Sequence, residues 1–256
     1  MKTMHFLSWL ASGLAFLSGF PVAVAGPSLT LATPPAEKPA PLGPLHLAGP
    51  GPHVIPLAIR GVPGTALSLK GELFRLLATT AAPLGSFVGQ GESVIPASGE
   101  LLFQPELSFP ETTAPVSYLA RFGQPDFPSL AIIVHPANFL APLQTLSQGQ
   151  PLQLVDAPGK LPALLREAGI RTTAAVQSDE HSIILCFSGQ GPLPEAPKQG
   201  RLILCDLTDP GREVWKRSAS GGWTIHLHPA ALDPARLATT AGLNHLLELT
   251  TSEPLP

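Results

Sequence analysis

The chain has 256 residues, of which 13% are charged, with 31 prolines, 24 glycines and a formal net charge of −3. So small an acidic excess supplies no basic surface for nucleic acid or an anionic membrane. The proline and glycine content predicts many turns and short helices, and with a single tyrosine the core must be built mainly from Leu, Val and Ile.

Lys2 opens the chain, residues 6–20 are apolar or small without a charge, Pro21 breaks the run, and Ala23-Val24-Ala25 offers small residues at the spacing a signal peptidase uses. This pattern predicts a secretory signal peptide over residues 1–25, cleaved after Ala25. Behind it no apolar run approaches the roughly 20 residues that cross a bilayer. No Cys stands just after the run to take a lipid. The expectation is an exported protein of the periplasm or the exterior, with no transmembrane segment in its mature chain.

Residues 26–52 carry Pro27, Pro34, Pro35, Pro39, Pro41, Pro44, Pro50 and Pro52 with few large apolar residues between them. That composition predicts a disordered Pro-rich linker. Residues 53–136 then read as all-β. Short apolar stretches at 54–59, 66–69, 73–77, 93–95, 101–103, 116–122 and 130–134 are separated by Gly- and Pro-containing turns such as Gly61-Val62-Pro63-Gly64 and Pro83-Leu84-Gly85. Along 116–122, Val116, Tyr118, Ala120 and Phe122 share one strand face. The spacing and the lone Tyr near the start of the penultimate strand resemble, in outline, an immunoglobulin-like β-sandwich.

Residues 137–256 change character, because apolar runs now alternate with helix signals. Strands are expected at 152–155, 172–176, 182–187, 201–205 and 223–228. A helix at 161–168 is stopped by Gly169. Asp209-Pro210 and Asp233-Pro234 each supply an N-cap followed by Pro at the first helical position, which predicts two further helices. The alternation predicts a small three-layer, Rossmann-like α/β domain with a mainly parallel sheet. The basic run Arg212, Lys216 and Arg217 falls on the first of these helices as a solvated face.

Nucleotide and metal fingerprints are absent. There is no GxxxxGK[ST], HExxH, CxxC or GxSxG, and Gly189-Gln190-Gly191 has Pro194 where a dinucleotide loop needs its third Gly. No cofactor is implied. Four polar residues stand at or just past predicted strand ends: Asp156, Ser188, Asp206 and His228. In a parallel sheet such ends face a common crevice where ligands bind. Ser188, Asp206 and His228 also follow the chain order of an α/β-hydrolase triad, in which an acid orients the base that activates the serine. His226 and His228 form an H-x-H pair whose side chains would share a strand face as metal ligands, with Asp206 or Asp209 as a third. Cys186 and Cys205 end look-alike runs, ILC in each case, and on neighbouring strands in matching register they would be close enough for a disulfide.

The favoured reading is an exported, non-catalytic accessory or binding protein of the envelope or exterior, with a protein or polymer as partner. The alternatives are a small exported hydrolase, or a degenerate relative of one, with its site at those strand ends, and a structural subunit of an envelope assembly.

Overall fold

A computed structural model describes residues 27–31, 44–90, 94–124, 127–174, 179–187, 193–205 and 213–252. It is rich in sheet and has few helices. The strands form two sheets of different kind.

The first sheet holds β1 (Ser28–Leu31), β2 (Leu45–Ala48), β3 (Gly51–Val54), β4 (Leu57–Arg60), β5 (Lys70–Leu76), β6 (Ala81–Gln90), β7 (Glu100–Phe109), β8 (Val116–Phe122) and β9 (Leu130–His135). Its order is β1-β4-β7-β6-β5-β8-β9-β2, with β3 also on β7. All pairings are antiparallel except β2 with β9. β7 shows why these residues are strands. Leu101, Phe103, Leu107 and Phe109 are buried, while Glu100, Leu102, Glu106 and Ser108 between them are exposed, the period of two that one buried face imposes. Ten residues long, β7 serves two shorter strands in succession. β4 pairs with its first half and β3 with its second. At the break between them the Ile55 N–H donates to the Pro105 carbonyl at 3.0 Å.

The stretch 26–52 is therefore not a disordered linker over its described residues, since β1, β2 and the first half of β3 lie within it. The prolines do not prevent this. Pro27 and Pro44 precede strands, and Pro52 lies in β3, which among the described residues pairs with β7 alone. An edge strand leaves one row of N–H groups outside the ladder, and proline is tolerated there. β6 was likewise hidden as a turn at Pro83-Leu84-Gly85. The register against β5 shifts between Leu73 and Phe74, so Leu84 is an extra bulged residue and Pro83 continues the strand beyond it. The core of this sheet includes Phe87, Phe103, Phe109, Phe122, Phe127 and Tyr118. Tyr118 meets Phe109 edge-on with centroids 4.9 Å apart.

The second part comprises α1 (Ala141–Gly149), β10 (Leu152–Val155), α2 (Leu161–Glu167), β11 (Thr172–Thr173), β12 (Ile183–Cys186), β13 (Arg201–Cys205), β14 (Val214–Arg217) and β15 (Trp223–Leu227). A 3-10 turn (Pro229–Leu232), α3 (Pro234–Leu237) and α4 (Thr240–Thr251) follow. The sheet order is β11-β10-β12-β13-β15-β14. β11, β10, β12, β13 and β15 run parallel, and β14 closes the edge antiparallel. The expected mainly parallel sheet is present.

Its layering differs from expectation. One face, including Leu152, Leu154, Ile183, Leu185, Ile203 and Ile225, shares a core with Leu143 of α1, Leu161 and Leu165 of α2, Leu237 of α3 and Leu246 of α4. The other face, formed by Ile184, Cys186, Leu202 and Leu204, packs against Ala196 of an irregular segment. Among the described residues all helices thus lie on one side and no third layer is seen. The helix expected from Asp209-Pro210 starts outside the described residues. Lys216 and Arg217, assigned to that helix, lie instead on β14, which turns back at 218–222 to pair with β15.

The expected C-terminal helix is split. Asp233 caps α3 by accepting from the Ala235 N–H, and Thr239 caps α4 by accepting from the Gly242 N–H. The join is tight. A Cβ on Gly242 would lie 2.1 Å from the Arg236 carbonyl oxygen, a backbone atom that cannot rotate away. Gly242→Ala is therefore expected to lower the urea midpoint, at a cost of about 1–3 kcal/mol for overpacking that exceeds the roughly 1 kcal/mol alanine usually returns in a helix. Equilibrium unfolding followed by far-UV circular dichroism measures it. An unchanged or higher midpoint would show that the join has slack.

Candidate functional site

The parallel ladder sends the C-terminal ends of β10, β12, β13 and β15 to one rim. Strand order reverses at β10, which has β11 on one side and β12 on the other. In a sheet with helices on both faces such a switch point leaves a crevice between diverging connections, whereas here the described helices share one face. Asp156 stands there, exposed and directly after β10, in the left-handed backbone region at φ 51°, a conformation Asp tolerates better than most residues. The Phe187 N–H donates to the Val155 carbonyl at 3.0 Å and holds the two strand ends together. Ser188 and Asp206 lie outside the described residues, as does Asp209.

His228 is present at the rim and already has a task. It is the N-cap of the 3-10 turn, with its Nδ1 accepting from the Ala230 N–H at 3.2 Å. A neutral imidazole that accepts at Nδ1 carries its proton on Nε2. The base of a serine triad has the opposite arrangement, with Nδ1–H given to the acid and Nε2 open to the hydroxyl. Asp156 and His228 are also far apart. Two strands separate β10 from β15, so three inter-strand spacings, roughly 14 Å in all, lie between their ends. The described residues thus share a rim without meeting.

The H-x-H pair is not assembled as a metal site either. His226 remains in β15 opposite Leu204 and Val214, whereas His228 has left the strand to cap the turn. Among the described residues no three His, Cys, Asp or Glu side chains are grouped to hold a metal ion.

Cys186 and Cys205 do not form a disulfide. The register explains this. Cys186 pairs with Leu204, not with Cys205. One residue of offset turns a side chain to the opposite face, and the two thiols belong to different cores on either side of the sheet. Burial, and secondarily Cys186, pushes the Cys205 thiol up to about 12.

Residues beyond the rim carry the more organised chemistry. The Arg201 guanidinium lies 5.5 Å from the Trp215 ring centroid, and Arg217 lies 5.7 Å from that of Trp223. Arg201 also donates to the Leu249 carbonyl at the end of α4 at 2.7 Å. A cleft of about 410 Å³ at one end of the first sheet is lined by Arg75, Glu111, Thr112, Thr113 and Asn138. Another, of about 630 Å³, is bordered by Glu180, Pro194, Glu195 and Lys198. It lies near the starting ends of β12 and β13, away from the predicted rim.

One part-buried polar contact was not foreseen. His46 Nδ1 and His135 Nε2 are 2.9 Å apart, and the rings stack at 5.1 Å and 20°. His135 is 2% exposed, lies 5.1 Å from the Phe139 ring, and its Nδ1 has no hydrogen-bond partner. Burial lowers the pKa of both imidazoles below the ordinary value. His46 lowers that of His135 further, and Glu248 opposes the shift at both. His46 escaped notice because it falls in the Pro-rich stretch. His135 was read only as the end of a strand before Pro136.

The sequestration of both cysteines sets an expectation. With a thiol reagent at neutral pH the folded protein should leave Cys186 and Cys205 unlabelled for hours, and denaturant should release both at once. Intact mass should be the same with and without reductant. A loss of 2 Da in the non-reduced protein, the mass of two hydrogens, would contradict the observed register. In comparison with known proteins, no protein-family model and no curated protein matches this chain.

Proposed function

We propose that this protein is an exported, non-catalytic accessory or binding protein of the cell envelope or exterior, built from an immunoglobulin-like sandwich and a Rossmann-like α/β unit. Export rests on the pattern of Lys2, the uncharged run 6–20 and Ala23-Val24-Ala25. The observation that carries the non-catalytic reading is the hydrogen bond from the Ala230 N–H to His228 Nδ1. It engages the only rim histidine proposed as a base, in the tautomer that cannot take a proton from a serine. The partner is a protein or polymer of that compartment, bound on a surface rather than turned over.

One observation favours a second reading. Strand order reverses at β10, which Asp156 directly follows, and in open parallel sheets small ligands bind near such reversals. A degenerate hydrolase that keeps its crevice as a binding site is consistent with this. An envelope subunit that pairs through open strand edges is the third reading, and β1 and β14 supply such edges.

Two measurements test the main reading. Expressed with its first 25 residues in a secreting host, the protein should be recovered outside the cytoplasm with Gly26 as its first residue. Retention in the cytoplasm with Met1 intact would remove the export claim. Purified protein should show no turnover of chromogenic esters or peptides above buffer. Turnover abolished by Ser188→Ala would establish the hydrolase instead.

A further inference from the structure

β2 and β9 are parallel neighbours, with His46 opposite Ile133 and His135 opposite Ala48. His46 and His135 are diagonal neighbours on one face, while Leu45, Leu47, Ile132 and Val134 on the other face join the core of the first sheet. α4 packs on β2. We propose that the His46–His135 contact is an acid-released latch that holds edge strand β2 on β9 beneath α4.

The argument is one of proton placement. A neutral pair fits the site if His135 Nε2–H donates to His46 Nδ1. His135 Nδ1 is then a bare acceptor, and no buried N–H is stranded. One added proton has two places to go. On His135 Nδ1 it creates an imidazolium with a buried, unpartnered N–H. On His46 Nδ1 it meets the Nε2–H of His135 head-on, unless that proton moves round to Nδ1, which again strands a donor. Every protonated form of the intact contact therefore places a proton on the partnerless nitrogen or sets two N–H groups against each other. To the unsatisfied acceptor that the neutral pair already carries, either adds a buried positive charge with no partner of its own, which costs far more.

The groups facing the pair do not change this. On α4, Glu248 favours protonation, but its carboxylate already accepts from Asn244 Nδ2 at 2.8 Å, and His245 lies 3.8 Å from Glu213. β8 contributes Ser117, opposite Ile133. The segment 136–140, which includes Phe139, has no titratable side chain. Once the contact opens, a protonated His46 reaches water with the Glu248 carboxylate near it. The sign follows. The closed state holds its imidazoles neutral below their ordinary value of 6.5, so the open state binds more protons as pH falls through that value. Closure is complete above it and is lost in acid.

Hydrogen exchange of the full chain, corrected for intrinsic rate, tests the latch. Protection of the β2 amides, relative to those of β12, should fall by roughly tenfold per pH unit below 6.5 for each proton taken up. The double variant His46→Leu/His135→Phe should give a flat profile. A flat profile in the wild type, or one equally steep in the double variant, overturns the proposal. If that variant does not fold, imidazole nitrogen NMR of the wild type decides. His135 Nδ1 should stay unprotonated until β2 protection is lost, and a protonated His135 with β2 still protected overturns the latch.

Discussion

The parallel ladder from β10 through β12 and β13 to β15 is the constraint on which the second half depends. Its register pairs Ile183 with Arg201 and Cys186 with Leu204. That pairing decides at once which side chains face the helices, which face the irregular segment at 193–197, and where the strands end. Because both faces are covered, the strands are almost continuously apolar, and β12 is buried at all four positions. Slippage by one residue would exchange the two cores. The polar groups at the rim are therefore placed by the packing of Leu and Ile well below them.

The second part meets the first sheet near the end of β9, where α4 packs on β2. Its last residue, His135, leads through Pro136 into α1, and the Gly49 N–H, just past β2, donates to the His135 carbonyl at 3.0 Å. Gly49 takes φ 82° to do so, a conformation that glycine adopts without steric cost. The imidazole pair sits here beside Phe139, with Glu248 near enough to act on both rings. Burying it costs more than burying an aliphatic pair of the same shape, and its directional bond fixes one lateral position of β2 on β9. Shape alone specifies that position weakly for a four-residue edge strand.

Much of this was readable in the sequence where a physical signal was strong and local. The near-continuous apolar runs at 182–187 and 201–205 pointed to parallel strands covered on both faces. Gly169 marked the end of α2 and adopts φ 77° as a left-handed cap must. Asp233-Pro234 started a helix as read. What failed did so because local chemistry was overruled by pairing. Pro and Gly at 83–85 signal a turn in isolation, but β5 absorbs them as a bulge. Prolines around residue 50 signal a linker, but edge positions ask for no N–H. The helix inferred at 209–217 overlooked that Trp215 and Trp223 can pack across a hairpin, with centroids 6.1 Å apart. The cysteines looked equivalent because their local contexts match, and only register, a long-range property, sets them apart. The rim was legible as a topology. The His46–His135 contact was not, because nothing in the sequence links positions 89 residues apart.

The contrast between His228 and His135 bears on how the molecule is read. Both stand at the end of a strand, His135 as its last residue and His228 just past it, and both precede Pro-Ala. The proline lacks an N–H and terminates each strand in the same way, yet the two imidazoles have opposite fates. His228 is exposed, and its Nδ1 is satisfied by the backbone two residues on, a local solution that any tripeptide of this kind can reach. His135 is enclosed by β2, Phe139 and the adjoining helix, with one nitrogen satisfied 89 residues away and the other not satisfied at all. A polar group held at that cost needs a reason, and neither turn formation nor strand termination supplies one. Chemistry in this chain is therefore better sought where β2 and β9 meet α4 than at the strand ends, where His228 caps backbone.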